Sequence, residues 1–232
     1  MAIYTKKYQQ KKKYVEQGLL TSSGYLVNEY AIVLQPHEEL SNTIMEEKKL
    51  YAETYQCPEA LYVKPRITLV HFKQHELMET HIVRLVKNIT ATLSDFKVEL
   101  KNFGSFPSHT IYINVVGKVQ IMDIVKELKA SQKLMKLDDD NKPHFLTEPN
   151  ISIARKLLPW QYEKSWIEYE HKHFHGRFIA DHVLLLKRRE NTKMWKTANR
   201  FDFENIKTDV KQGALFEALR PHPLKGSKKP QP

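Results

Sequence analysis

The stretch Lys64–Phe72, KPRITLVHF, reads as a short buried strand in which Ile67, Leu69 and Val70 supply core side chains and Thr68 a hydroxyl. It opens on an arginine, Arg66. A second stretch, Glu148–Leu157, EPNISIARKL, repeats the grammar of proline, polar residue, isoleucine, hydroxyl and aliphatic, with Asn150 where the first has Arg66. Residues two apart on a strand share a face, so Arg66 is expected to point with Thr68, and Asn150 with Ser152. Two such strands, 84 residues apart, would present four polar groups to one cleft between related lobes. Short apolar strands after a proline are common, and the echo alone assigns no function.

The flanking sequence supplies the rest of an α+β domain. YAIVL at 30–34 is predicted to be a strand, and Leu40, Ile44, Tyr51 and Tyr55 fall near one face of a helix that leads back to KPRITLVHF, a strand–helix–strand unit. Ile82, Leu85, Val86, Ile89 and Leu93 have helical spacing, FKVELKNF at 96–103 alternates as a half-buried strand, and TIYINVV at 110–116 is another after the turn at 104–108. A helix carrying Ile121, Ile124, Val125 and Leu128 follows, then a polar loop, LDDDNKPHF, into the second motif. Residues 165–178, 181–189 and 200–205 read as strands, so the sheets should be mixed or antiparallel.

With 232 residues, 41% hydrophobic and 28% charged, the chain has the balance of a globular domain. Its single cysteine, Cys57, forbids an internal disulfide and favours a reducing compartment, which together with the lack of a membrane-spanning apolar run or a signal-peptide pattern places the expectation in the cytoplasm. The net charge of +10 is concentrated at the ends: residues 1–20 hold +4 and residues 220–232 another +4, leaving +2 for the body. The expected organisation is a basic extension at 1–24, one bilobal domain at 25–219 and a basic disordered tail at 220–232. Contact of these tails with nucleic acid is one use of such charge; simple solvation is another.

The two motifs in this order of elements resemble the two-histidine phosphoesterase superfamily, which includes bacterial 2′-5′ RNA ligase-like proteins and cyclic phosphodiesterases. Its paired motifs are often read as PHITL and PHITIAR; here they stand as PRITL at 65–69 and PNISIAR at 149–155. The likeness runs over about 25–205 and includes YAIVLQP, the FGSFP turn and the late VLLLKRR strand. It implies a bilobal α+β fold, two antiparallel sheets backed by helices around a phosphate-binding cleft. The resemblance also implies that one histidine takes a proton from the attacking hydroxyl while the other gives one to the leaving oxygen, and both are replaced here. Arginine stays protonated and asparagine does not titrate, so Arg66 and Asn150 cannot share that work. They can still bind: a guanidinium forks two hydrogen bonds onto a phosphate, and Thr68, Ser152 and Asn150 can each donate one.

Arg66, Thr68, Asn150 and Ser152 are therefore the expected substrate-binding set, with no catalytic residue among them, no metal and no cofactor. The plainer alternatives are a salt bridge for Arg66 and a turn role for Asn150. His71, five residues after Arg66, should face away if the strand is regular, and His144 lies in the approach loop. His171, His173 and His175 have the spacing of one strand face, which would suit a metal but reads better as exposed surface. LLLKRRENTKMWK, 184–196, has the best mixture of cations with an aromatic for an RNA backbone. Three functions stay open: a degenerate phosphoesterase that binds a nucleotide, RNA end or other phosphate ester; a working enzyme that recruits another proton-transfer group; and a protein-interaction module that keeps only the fold.

Overall fold

A computed structural model describes residues 26–206 apart from 191 and 193; the basic ends, and residues 207–219 of the expected domain, lie outside the described residues. The elements run β1 (Val27–Leu34), α1 (Glu38–Thr54), a 3-10 turn (Pro58–Tyr62), β2 (Ile67–His75), a second 3-10 turn (Glu76–Met78), α2 (Glu79–Ala91), β3 (Phe96–Phe106) and β4 (Thr110–Val116). They continue with α3 (Val119–Ala130), α4 (Gln132–Met135), β5 (His144–Phe145), β6 (Asn150–Arg155), α5 (Pro159–Tyr169), β7 (His175–Ala180), β8 (His182–Arg189) and β9 (Lys196–Asp202). Two antiparallel sheets result, a five-stranded one ordered β5-β2-β1-β8-β9 and a four-stranded one ordered β6-β4-β3-β7.

The lobes are interlocked. Although α1 joins two neighbouring strands of the five-stranded sheet, it packs on β6 and β7 of the other, as α5 does on β3 and β4; α2, α3 and α4 back the five-stranded sheet. The strand–helix–strand unit is thus correct in order but not a local layer. Its helix buries Leu40, Ile44, Lys48, Tyr51 and Ala52, and hydroxyls fasten this stripe to α5: Tyr51 shares a hydrogen bond with Ser165 at 2.8 Å and Tyr55 donates to Glu168 at 2.5 Å. The chain must cross back to reach β2, and it does so through the 58–66 segment, which runs past β6. Arg66 therefore arrives where the two lobes meet.

One core joins the lobes, taking Tyr30, Ile32 and Leu34 from β1 and Ile151 and Ile153 from β6. β1 is buried on both sides: Ala31 and Val33 form a second, smaller cluster with Leu184, Leu186 and Trp195. Central position in the sheet explains why YAIVL has no polar alternation. The stretch 165–178, expected to be a strand, is split. Pro159 at the first helical position and Gln161, which accepts the Leu158 N–H at 3.0 Å, start α5, so Ser165 and Tyr169 fall one turn apart on its buried face. LDDDNKPHF likewise contains the short strand β5, whose His144 lies opposite His71.

Candidate functional site

The two motif strands share an irregularity that their sequence echo does not announce. Along β2, Val33 pairs with Thr68 and Ile32 with Val70, leaving Leu69 as an extra residue. Along β6, Tyr112 pairs with Ser152 and Ile111 with Ala154, leaving Ile153 extra. A β-bulge of one residue reverses the alternation beyond it. Thr68 and His71 consequently share a face, as do Ser152 and Arg155. The expectation that His71 faces away rested on regular pairing and is overturned: its ring lies edge-on to Trp195 with centroids 5.9 Å apart. Arg155, not singled out from the sequence, takes the position in the second motif that His71 takes in the first.

Arg66 sits immediately before β2. Its guanidinium lies 4.9 Å from the centre of the Trp195 ring, and that of Arg188, from β8, lies 4.5 Å from the same ring. Both are within cation–π range. Arg188 is also bonded to Glu29, with Nε 2.7 Å from Oε2, and His71 Nε2 stands 3.4 Å from that oxygen. These partners, the His71 contact foremost and then Arg188, hold Glu29 down at about 2 despite the opposing effect of burial. Arg66 has no such carboxylate, and its Nε is buried without a hydrogen-bond partner. The salt-bridge alternative for Arg66 is thereby excluded among the described residues.

A buried lysine completes the cationic group. Lys48 is 2% exposed; its ammonium donates to the Val63 carbonyl at 2.6 Å and reaches the Ser152 carbonyl at 3.5 Å, tying the approach to β2 to the middle of β6. Burial first, then the charges of Arg155 and Arg66, lower its pKa to about 8. Arg66 is lowered to about 10 by burial and by Arg155 and Arg188, and Arg155 is lowered by burial and by Arg188. Cations from α1, the approach to β2, β6 and β8 thus lie near enough to repel one another, with Arg155 exposed at the end of β6. Lys48 could have been found in the sequence, since it falls four residues after Ile44 on the apolar stripe of α1, where a lysine does not belong unless something holds it.

Thr68 and Ser152 lie on their strands as expected and are half-buried, whereas Asn150 spends its amide on the Glu148 carbonyl at 2.7 Å, much as a turn residue would. Beside Ser152, Tyr112 lies across β3 over Gly104, where an added Cβ would come within 2.7 Å of both the Tyr112 ring and Asn114 Oδ1. His171 and His173 fall in the turn before β7, so the three histidines share no strand face, and among the described residues there is no group of three metal-ligating side chains.

Lys48 supplies a pH test of this description. Between its lowered pKa of about 8 and the ordinary 10.5, the unfolded chain keeps a proton that the folded chain has released, so stability rises with pH over that window. Relative to Lys48→Met, the wild-type protein is expected to gain about 2 kcal/mol from pH 8 to pH 10 in chemical denaturation. Ionising tyrosines and Cys57 cancel in the difference. A constant gap would show that Lys48 is not desolvated.

Two interlocked antiparallel sheets, each with one bulged motif strand, define a fold seen in solved structures. A Thermus thermophilus protein matches with a TM-score of 0.57 at 14% identity, covering 76% of this chain and 98% of that one. Escherichia coli LigT complexed with 3′-AMP matches with a TM-score of 0.53 at 13% identity, over 76% and 98%. A Geobacillus thermodenitrificans protein, provisionally named a phosphoesterase, is 28% identical over 165 residues, 70% of this chain and 89% of its own. The 2′-5′ RNA ligase superfamily model matches residues 36–192, and the chain belongs to that superfamily.

Proposed function

We propose that the cleft binds a phosphate ester, a nucleotide or RNA end, and holds it without cleaving it. The observation that carries this reading is the Arg66 guanidinium, half-buried with its Nε sealed from solvent, without a carboxylate partner and repelled by Arg155 and Arg188. A desolvated cation without a counter-charge is costly, and an anionic ligand removes that cost. Thr68 and Ser152 add hydroxyl donors, and the strand positions of Arg66 and Asn150 put no proton-transfer group at either place where the family pattern has histidine. LigT, of the same fold, has been crystallised with 3′-AMP and with NADP+, which agrees with a nucleotide as ligand.

A second reading rests on the bulge in β2. It turns His71, an imidazole of the type that handles protons near neutral pH, onto the same face as Thr68, with Glu29 behind it as an orienting carboxylate. Incubating purified protein with adenosine 2′,3′-cyclic phosphate separates the two. Saturable binding with an intact ester supports the binding reading; turnover that disappears in His71→Ala would replace it with an enzyme whose proton-transfer group has moved along the strand.

A further inference from the structure

Resting on the phosphate-binding reading, we infer that the cleft is matched to a doubly charged terminal phosphate, a monoester, in preference to a singly charged cyclic phosphate or diester. The charge inventory of the cleft carries this. Arg188 is neutralised by Glu29, which it contacts through both Nε and Nη2. Glu148, whose carbonyl holds the Asn150 amide, has its carboxylate on Lys118. Among the described residues no carboxylate pairs with Arg66, Arg155 or Lys48. Lys48, buried, Arg66, half-buried, and Arg155, exposed at the end of β6, thus carry charge with no carboxylate partner, and mutual repulsion accounts for part of the downward shifts of Lys48 and Arg66. One negative charge leaves two of them unanswered. A monoester, at about −1.5 to −2 near pH 7, answers most of the excess.

Donor count leads the same way. Lys48 already gives hydrogen bonds to two carbonyls and contributes to a ligand mainly through its charge. Arg66 and Arg155 each bring a forked guanidinium, and Thr68 and Ser152 each bring a hydroxyl. A monoester has three terminal oxygens to receive these donors, whereas a cyclic phosphate or diester has two. The cleft is therefore built for the class of compound that opening a cyclic phosphate produces, and it discriminates against the cyclic form by charge.

The test compares adenosine 3′-monophosphate with adenosine 2′,3′-cyclic phosphate, which share base and sugar, by calorimetric titration of the full chain from pH 5 to pH 8, with the integrity of the cyclic compound followed by phosphorus NMR. The monoester is expected to bind about 10- to 100-fold more tightly at pH 7.5, the worth of one added charge near a partly buried cation cluster. That ratio should fall toward one at pH 5 as the monoester loses its second charge near pH 6. The charged and titratable groups on this face are Arg66, Arg155, Arg188, Lys48, Glu29, His71 and its cross-strand neighbour His144; imidazole protonation would add positive charge at low pH, and Lys48, lowered to about 8, sheds charge only at the top of the range, so both effects oppose the expected trend. Retention of the same trend in His71→Gln assigns it to the ligand, and loss of the trend there overturns the inference. Arg155→Gln should shrink the preference by removing one of the uncompensated cations. Equal affinities at every pH, with both still weakened by Arg66→Ala, would overturn the charge match while leaving phosphate binding intact. Absence of binding by either compound would remove both.

Discussion

Replacing Arg66 and Asn150 together by histidine is expected to produce measurable 2′,3′-cyclic phosphodiesterase activity, with either single change giving far less. Acid and base participation is worth about 10²- to 10⁴-fold for each group, and the two act as a unit, so a lone imidazole leaves half of the proton transfer undone. On the proposed reading the restored pair keeps its surroundings. Thr68 and Ser152 follow at two-residue spacing, and Arg155 and Lys48 remain to stabilise charge developing on the phosphate oxygens. The double variant gives up the bond from Asn150 to the Glu148 carbonyl, which is the main local cost. The pH–rate profile should be a bell, one limb for each imidazole. A folded double variant that binds cyclic phosphates yet turns over no faster than the parent would mean that the distance between the motif strands no longer suits in-line attack.

Arg66→Ala carries the second large effect, and it acts in opposite directions on binding and stability. Loss of a charge-assisted hydrogen bond should weaken phosphate binding by about 1.5–3 kcal/mol, or roughly 10- to 150-fold in Kd. Folding should not suffer in proportion. Arg66 is half-buried, its Nε has no partner, and it repels Arg155 and Arg188; the favourable interaction that the substitution gives up is the stacking of the guanidinium on Trp195. Relief of the repulsion and desolvation of a half-buried, uncompensated cation offsets the loss of a single cation–π interaction, so the melting temperature is expected to hold or rise. A residue kept for a structural ion pair would show the reverse, a lower melting temperature with an unchanged Kd.

The parts of this architecture that depend on local periodicity were legible in the sequence. Ile67, Leu69 and Val70 mark β2, the sequence echo of Thr68 in Ser152 marks the two motifs, and the stripe Leu40, Ile44, Tyr51 and Tyr55 marks α1. The misreadings of which face a side chain takes originate in non-local pairing. Bulges at Leu69 and Ile153 depend on the register against β1 and β4, so the faces of His71 and Arg155 cannot be obtained by counting along one strand. The helix at 159–169 was hidden because Trp166, Ile167 and Tyr169 suit a strand as well as a helix, and the start signals at Pro159 and Gln161 outweigh them. Crossing of α1 onto the opposite sheet is a property of the whole topology. Lys48 is the instructive omission: its place on an apolar stripe was visible, but its partners, the Val63 and Ser152 carbonyls, come from the segments that this crossing brings together.

Phosphorus NMR of the wild-type protein with adenosine 2′,3′-cyclic phosphate at pH 7.5, followed over hours and repeated with Arg66→Ala, tests the central claim most directly because one spectrum reports both binding and bond cleavage. The expected result is a shifted, broadened cyclic-phosphate resonance whose perturbation saturates, takes roughly 10- to 150-fold more protein or ligand to reach in Arg66→Ala and is never replaced by monoester signals. A resonance unaffected by the protein, or one converted to monoester at a catalytic rate, would contradict it.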